Sequence, residues 1–207
     1  MKKFLLMILV AMAATECMAQ ASAGELNNNV IETIMQRRSI RQYKTTPVER
    51  EKLQLVAECG INAPSAMNRQ KWAVRIVDDP KYINGATEVL KKKMPEMVAR
   101  DKSFRNMFRN APAIICVGIE AKEDEYSKVD AGLMGENMML AAQSLGLGTC
   151  CLGMAASQLN TIPELKEYND KLNLPEGYRL IYVLAIGYPD ESPAAKPRDR
   201  NKIQFVE

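Results

Sequence analysis

The chain has 207 residues, a formal net charge of +3, 47% hydrophobic and 26% charged residues. This suits a soluble globular domain with a sizeable core, and the charge is too small and too evenly spread to argue for nucleic acid. There is no histidine, which excludes Ser-His-Asp and Cys-His nucleophile systems, His-ligated zinc and haem with an axial histidine. Acid–base work must fall to other side chains, or a cofactor must supply the reactive group.

The N-terminus reads as a Sec-type export signal. Lys2 and Lys3 precede an apolar run from Phe4 to Ala14, and small residues follow, with cleavage expected after Ala19 or, failing that, Ala23. The run is too short for a stable membrane anchor. The expected organisation is therefore a removed signal over 1–19 and one domain over 20–207, exported and periplasmic. Leu26 to Gln36 carries an apolar helical stripe through Val30, Ile31, Ile34 and Met35 and delivers the pair Arg37-Arg38 at its C-terminal end. Thr46-Pro47-Val48-Glu49 predicts a capping box with proline at the first helical position. That helix would run to about Ile61 and stop at Ala63-Pro64-Ser65.

Trp72 to Val77 alternates partly and is rich in β-branched residues, so it predicts a strand. Residues 80–110 read as helical, charged and Met-rich, interrupted at Pro95. Ala113 to Ile119 predicts a buried strand. Ala131 to Leu147 is apolar or small on most positions and predicts a helix buried on most sides, in a core or a subunit interface. Ile162-Pro163-Glu164-Leu165 starts or interrupts a short helix. Leu180 to Gly187 is the most hydrophobic strand and should be central. A loop with Pro189, Pro193 and Pro197 follows, and Ile203 to Val206 reads as a final strand that leaves the body of the domain. The whole is α+β.

Cys59 and Cys116 sit in apolar runs as core thiols. Cys150 and Cys151 are adjacent; they read as two small buried residues, with a vicinal disulfide the strained alternative. Trp72 and the thirteen methionines read as packing. Lys91-Lys92-Lys93 reads as a solvated face, and Glu123, Asp124, Glu125 and Asp130 as a loose acidic group without metal spacing. Tyr126 and Tyr188 could touch substrate, or simply end elements.

Three clusters can do chemistry. Arg37-Arg38-Ser39-Ile40-Arg41 places three guanidinium forks and a hydroxyl in five positions. This suits a phosphate and the edge of a flavin; taken alone, it suits a solvated basic helix end better. Lys196-Pro197-Arg198 is a second basic group, and Pro64-Ser65-Ala66-Met67-Asn68-Arg69-Gln70-Lys71-Trp72 lies between them.

The first cluster resembles the N-terminal signature of the nitroreductase family of FMN-dependent oxidoreductases. Residues 64–72 resemble that family's Pro-Ser-x-x-Asn-x-Gln-Pro-Trp segment, with Lys71 in place of proline and Ala66 in place of a frequent serine. Gly146 to Gly153 and Gly187-Tyr188-Pro189 with Lys196-Pro197-Arg198 resemble its third and C-terminal segments, in matching order across about residues 30–200. The resemblance implies a central, mainly antiparallel sheet flanked by helices, with a C-terminal extension reaching a partner subunit.

It implies FMN in a homodimer, with Arg37, Lys196 and Arg198 on the phosphate. Arg38 and Ser39 would line the cofactor, and Arg41 would face its N1/O2 edge. Leu152 and Gly153 would offer backbone beside N5, Cys151 would lie near the ring, and Pro64, Ser65 and Asn68 would come from the second subunit. The implied reaction is ping-pong hydride transfer through N5, from an NAD(P)H-type donor to small acceptors such as nitroaromatics or quinones, with no catalytic side chain. A flavin-binding module without turnover and a related flavin reaction such as dehalogenation remain as alternatives.

Overall fold

The computed structural model describes residues 28–122 and 125–206. The signal-like segment, with both cleavage positions, and the acidic pair Glu123-Asp124 lie outside the described residues. The described chain divides after Gln36, with the first helix in one unit and everything from Arg37 in the other. Helix α1 spans Asn29–Gln36. The Asn28 side chain caps it, accepting from the N–H groups of Val30 and Ile31 at 3.0 and 3.1 Å, which satisfies two of the donors that a helix start leaves unpaired.

In the larger unit, α2 (Arg50–Ile61) leads through a turn to β1 (Trp72–Val77). Helices α3 (Pro80–Lys93) and α4 (Pro95–Ala99) follow, split at Pro95, where proline removes a backbone donor and restricts the residue before it. Next come β2 (Ala113–Glu120), α5 (Glu125–Ser144), β3 (Gly148–Leu152) and α6 (Gly153–Thr161). Helix α7 (Lys166–Lys171) and β4 (Tyr178–Gly187) complete the order. The sheet runs β1-β2-β4-β3, every pair antiparallel. No helix among the described residues is long and apolar enough to cross a membrane.

Alternation along β2 explains why that strand reads as one unbroken apolar run. Ile115, Val117 and Ile119 pack toward Leu53 and Val56 of α2 and Met134 and Met138 of α5. Ile114 and Cys116 pack on the other face toward Leu90 of α3 and Leu159 of α6. Successive side chains point to opposite faces of a strand, so a sheet covered on both sides needs apolar residues at every position. Cys116 is fully buried, and burial pushes its thiol up to about 12. Cys59 is only half-buried.

Several expectations are corrected. The capping box does not form: α2 starts at Arg50, and Glu49 makes no side-chain cap. Its carboxylate is taken instead by the Tyr188 hydroxyl at 2.8 Å and the Lys52 ammonium at 3.1 Å. Helix α5 begins two turns earlier than the apolar pattern and ends at Ser144. It buries one face, through Asp130, Ala131, Met134, Met138 and Ala142, and leaves Val129 and Leu133 exposed. Residues 203–206 carry no strand pairing among the described residues. Strand β3 and helix α6 have no counterpart in the sequence reading.

Candidate functional site

The first basic cluster is held by the sheet edge. Ser39 bridges Thr149 of β3 in parallel, and the Ile40 N–H donates to the Thr149 carbonyl at 2.9 Å. Further along, the Lys44 N–H donates to the Tyr188 carbonyl and the Asp190 N–H to the Gln42 carbonyl, both at 2.9 Å. Residues 39–44 therefore run between the edge of β3 and the stretch after β4. Ile40 and Tyr43 are buried with Ala111, Cys150 and Ala185, and the Tyr43 hydroxyl donates to the Ile40 carbonyl at 2.6 Å. Alternation then turns Ser39 and Arg41 away from that core. Gly148 makes the approach possible: a Cβ there would meet Ile40 Cγ1 at 2.6 Å.

Charge gathers around this arm. Arg37 pairs with Glu136 of α5 at 3.4 Å. An Arg38 Nη donates to the Arg37 carbonyl at 2.7 Å, and an Arg41 Nη to the Ser39 carbonyl at 3.2 Å. One Glu191 carboxylate oxygen accepts from the consecutive backbone N–H groups of Arg41 and Gln42. Arg41, Arg109, Glu191 and Arg37 all act electrostatically on the Cys150 thiol, midway along β3. Burial raises that thiol, while the three guanidinium groups pull it back. Burial also raises Cys151. Both cysteines are free, Cys150 buried and Cys151 exposed. This corrects the expectation of two buried residues: neighbours on one strand face opposite sides.

Strand β3 hands over to α6 at Leu152-Gly153. No side chain caps α6, so the first N–H groups of that helix, with their partial positive charge, are free for an external acceptor. A Cβ on Gly153 would meet nothing within 4 Å, so the space beside this backbone is open. A cavity of about 490 Å³ starts here, within the range of small-molecule sites. Arg41, Gln42, Glu191, Leu152 and Met154 line it, along with residues from α3, α4 and the 101–110 segment.

That segment is irregular and tied internally. Asn110 Oδ1 accepts from the N–H groups of Arg105 and Asn106, and Asn106 Oδ1 accepts from those of Phe108 and Asn110. Arg109 and Asn110 both sit in the left-handed region, at φ 56° and 67°, an uncommon conformation for residues with a side chain.

The other expected site residues lie elsewhere. Pro64, Ser65 and Asn68 occupy a turn away from the cavity lining. Met67, Asn68 and Gln70 there have φ of 54°, 54° and 49°. The turn is held by Ser65 Oγ, which accepts from the Gln70 N–H at 3.1 Å, and by Asp130, both of whose oxygens lie 3.2 Å from the Ala66 N–H. Lys71, at the position where the resembling segment has proline, pairs with Glu120 at 2.6 Å. Lys196 and Arg198 are exposed on the C-terminal segment. Arg198 donates to the carbonyls of Lys196 and Pro197 at 3.2 and 3.4 Å, and neither cation shares a hydrogen bond with residues 37–41. The structure thus brings together Arg37, Arg38, Ser39 and Arg41 on the arm with Cys151, Leu152 and Gly153 at the end of β3, and leaves Pro64, Ser65, Asn68, Lys196 and Arg198 apart in one chain. Glu136, Glu191, Arg109 and Gln158 are site residues that sequence reasoning missed.

Residues 34–188 match the model of the nitroreductase family. Over 175 residues the chain is 31% identical to an NADPH-flavin oxidoreductase of Vibrio harveyi, covering 83% of this chain and 70% of that one. A nitroreductase with bound FMN from Desulfitobacterium hafniense superposes with a TM-score of 0.78 at 27% identity, covering 88% of this chain and all of that one. A second nitroreductase with bound FMN, from Bacteroides fragilis, superposes with a TM-score of 0.75 at 27% identity, covering 87% and 100%.

Proposed function

The chain belongs to the nitroreductase family, and from that premise we propose an FMN-dependent oxidoreductase that takes electrons from a nicotinamide donor and passes them to small acceptors such as nitroaromatics or quinones. The cofactor is FMN and the activity is oxidoreduction, in keeping with flavin-reducing relatives and FMN-bound structural neighbours. When bound, FMN supplies hydride exchange at N5, alternately with donor and acceptor in a ping-pong cycle.

One observation carries this reading: a basic arm and the open start of α6 meet at a single cavity. The residues present fit the cofactor. A planar ring needs backbone it can approach, and the absence of any atom near a Cβ on Gly153 supports that. Backbone N–H groups at Leu152-Gly153 would orient the ring's hydride-accepting edge. Arg41 lines the cavity and would hold the N1/O2 edge, where a fixed cation favours negative charge and raises the reduction potential. Arg37 would bind the phosphate bidentately, releasing Glu136, with Lys196 and Arg198 joining it from the C-terminal segment. Arg38 and Ser39 would line the cofactor, with Cys151 close by as a neutral thiol. No side chain is needed as a general base; the protein contributes orientation and charge.

The reading includes a homodimer in which Pro64, Ser65 and Asn68 reach the partner's cofactor and the C-terminal segment crosses over. Exposed Ile203, Phe205 and Val206, and exposed Val129 and Leu133 on α5, support an apolar contact of that kind. It also includes export, on the strength of the Lys2-Lys3 start and the apolar run after it. The test is the visible absorbance of the purified protein after incubation with FMN and removal of free ligand. About one flavin per chain is expected; a colourless, folded dimer overturns the reading.

A further inference from the structure

The cavity has two unlike parts. Its mouth is marked by exposed or half-exposed residues, Arg41, Met154 and Glu191. Its floor is formed by buried Leu90, Met107 and Ala155 and by two buried polar side chains, Asn110 at 8% exposure, whose amide is spent on backbone groups of its own segment, and Gln158 at 9%. The carboxamide N–H groups of Gln158 rest against Met94 Sδ at 3.6 Å and Met97 Sδ at 3.8 Å. Thioether sulfur is a weak acceptor, and a buried amide that lacks a strong partner carries a desolvation cost. Gln158 is thus a donor held at a cavity wall with only soft partners, among methionines whose flexible side chains adapt to a ligand's shape.

We propose that this floor is a subsite for the electron acceptor, with Gln158 as its specificity-determining donor, and that it takes flat apolar molecules carrying a carbonyl or nitro oxygen. The proposal rests on the FMN-dependent reading above. The apolar wall receives the ring, and the ligand oxygen replaces sulfur as the partner of the Gln158 amide. Sites built around a hydrogen bond discriminate strongly against analogues that lack it, because the protein's own polar group is then left unpaired.

The test uses the FMN-loaded protein and two probes of similar shape, acetophenone and ethylbenzene, titrated by ligand-detected NMR. Wild type should bind acetophenone about tenfold more tightly than ethylbenzene, the worth of one good hydrogen bond. Gln158→Met, which keeps length and adds another thioether, should bring that ratio close to one. It should also raise KM for nitro and quinone acceptors with kcat unchanged. Should Gln158→Met fail to fold by circular dichroism, Gln158→Leu, which removes the amide donors at similar volume, should collapse the ratio in its place. A purely structural role would weaken both probes equally and leave the ratio intact, and that result overturns the proposal, as does equal binding of both probes by wild type. Flavin content, read by absorbance on the same samples, reports separately on the oxidoreductase reading.

Discussion

Replacing Gly148 by alanine tests whether the basic arm depends on its contact with β3. The added Cβ would stand 2.6 Å from Ile40 Cγ1, 2.9 Å from its Cβ and 3.0 Å from its Cγ2. Ile40 is β-branched and 6% exposed, so it has little rotamer freedom and nowhere to retreat. Overpacking of this kind costs roughly 1–3 kcal/mol. Pushing the arm outward also stretches the bond from the Ile40 N–H to the Thr149 carbonyl, worth about 1 kcal/mol. The expected loss is about 2–4 kcal/mol, out of a total near 5–15 for a domain. With a urea slope of roughly 1–3 kcal/mol per molar, the unfolding midpoint should fall by about 1–2 M, and FMN affinity should fall with it. The decisive control is Gly148→Ala combined with Ile40→Ala. Ile40→Ala alone should cost about 2–5 kcal/mol, yet in the Gly148→Ala background it removes the clash. The double variant should therefore be more stable than the sum of singles by at least about 1 kcal/mol. An unchanged midpoint in Gly148→Ala, or strict additivity in the double variant, would refute the argument that close approach at this glycine seats the arm.

Arg41→Ala should lower the reduction potential of the bound flavin, since it removes a cation from the cavity; spectroelectrochemistry of the loaded variant checks this, and an unchanged potential removes the role given to Arg41. Asp130→Ala should free the 64–70 turn, because the Ala66 N–H loses its side-chain acceptor. A loss of roughly 1.5–3 kcal/mol is expected, with faster proteolytic cleavage between residues 64 and 71. Glu49 gives a pH signature. Its own backbone, the Tyr188 hydroxyl and Lys52 hold its carboxyl down at about 2, so the folded state binds the proton less readily than the unfolded chain. Its contribution is complete above the unfolded value near 4.3 and is lost as pH falls toward 2. Glu49→Gln should flatten the urea midpoint between about pH 5 and about pH 2.5 relative to wild type; parallel curves would show that the contacts carry no linkage.

What the sequence disclosed follows from how local each signal is. Strands β1, β2 and β4 were legible because both faces of the sheet are covered and the residues say so by themselves. Strand β3 was not: Gly148, Thr149, Cys150, Cys151 and Leu152 are mostly small, and they become a strand only because β4 pairs with them on one side and the 39–40 segment on the other. The Thr46-to-Glu49 pattern misled because Tyr188, far along the chain, competes for the Glu49 carboxylate. The first turns of α5 read as polar because Asp130 serves the 64–70 turn, a tertiary purpose with no periodicity.

The site divides in the same way. Arg37, Ser39 and Arg41 form a cluster and were found. Glu136, Glu191, Arg109 and Gln158 are single residues that acquire meaning from what folds against them. Lys196 and Arg198 were legible as a basic pair, but in one chain nothing draws them to Arg37.

The arm that carries the cations is fastened by groups about 150 residues further along: Glu191 accepts from the N–H groups of Arg41 and Gln42, and Tyr188 from that of Lys44. Contacts so distant in sequence raise the contact order and slow the search for the native topology. During synthesis from the N-terminus, residues 37–44 emerge early and wait. Their docking strand, β3, arrives after β1 and β2, and their C-terminal clamp only after all four strands have been made. Cofactor uptake thereby becomes a late event, one that waits until the chain has been made as far as Glu191. A product ending at residue 187 would keep all four strands, yet lack the fastening that gives the arginines a fixed direction.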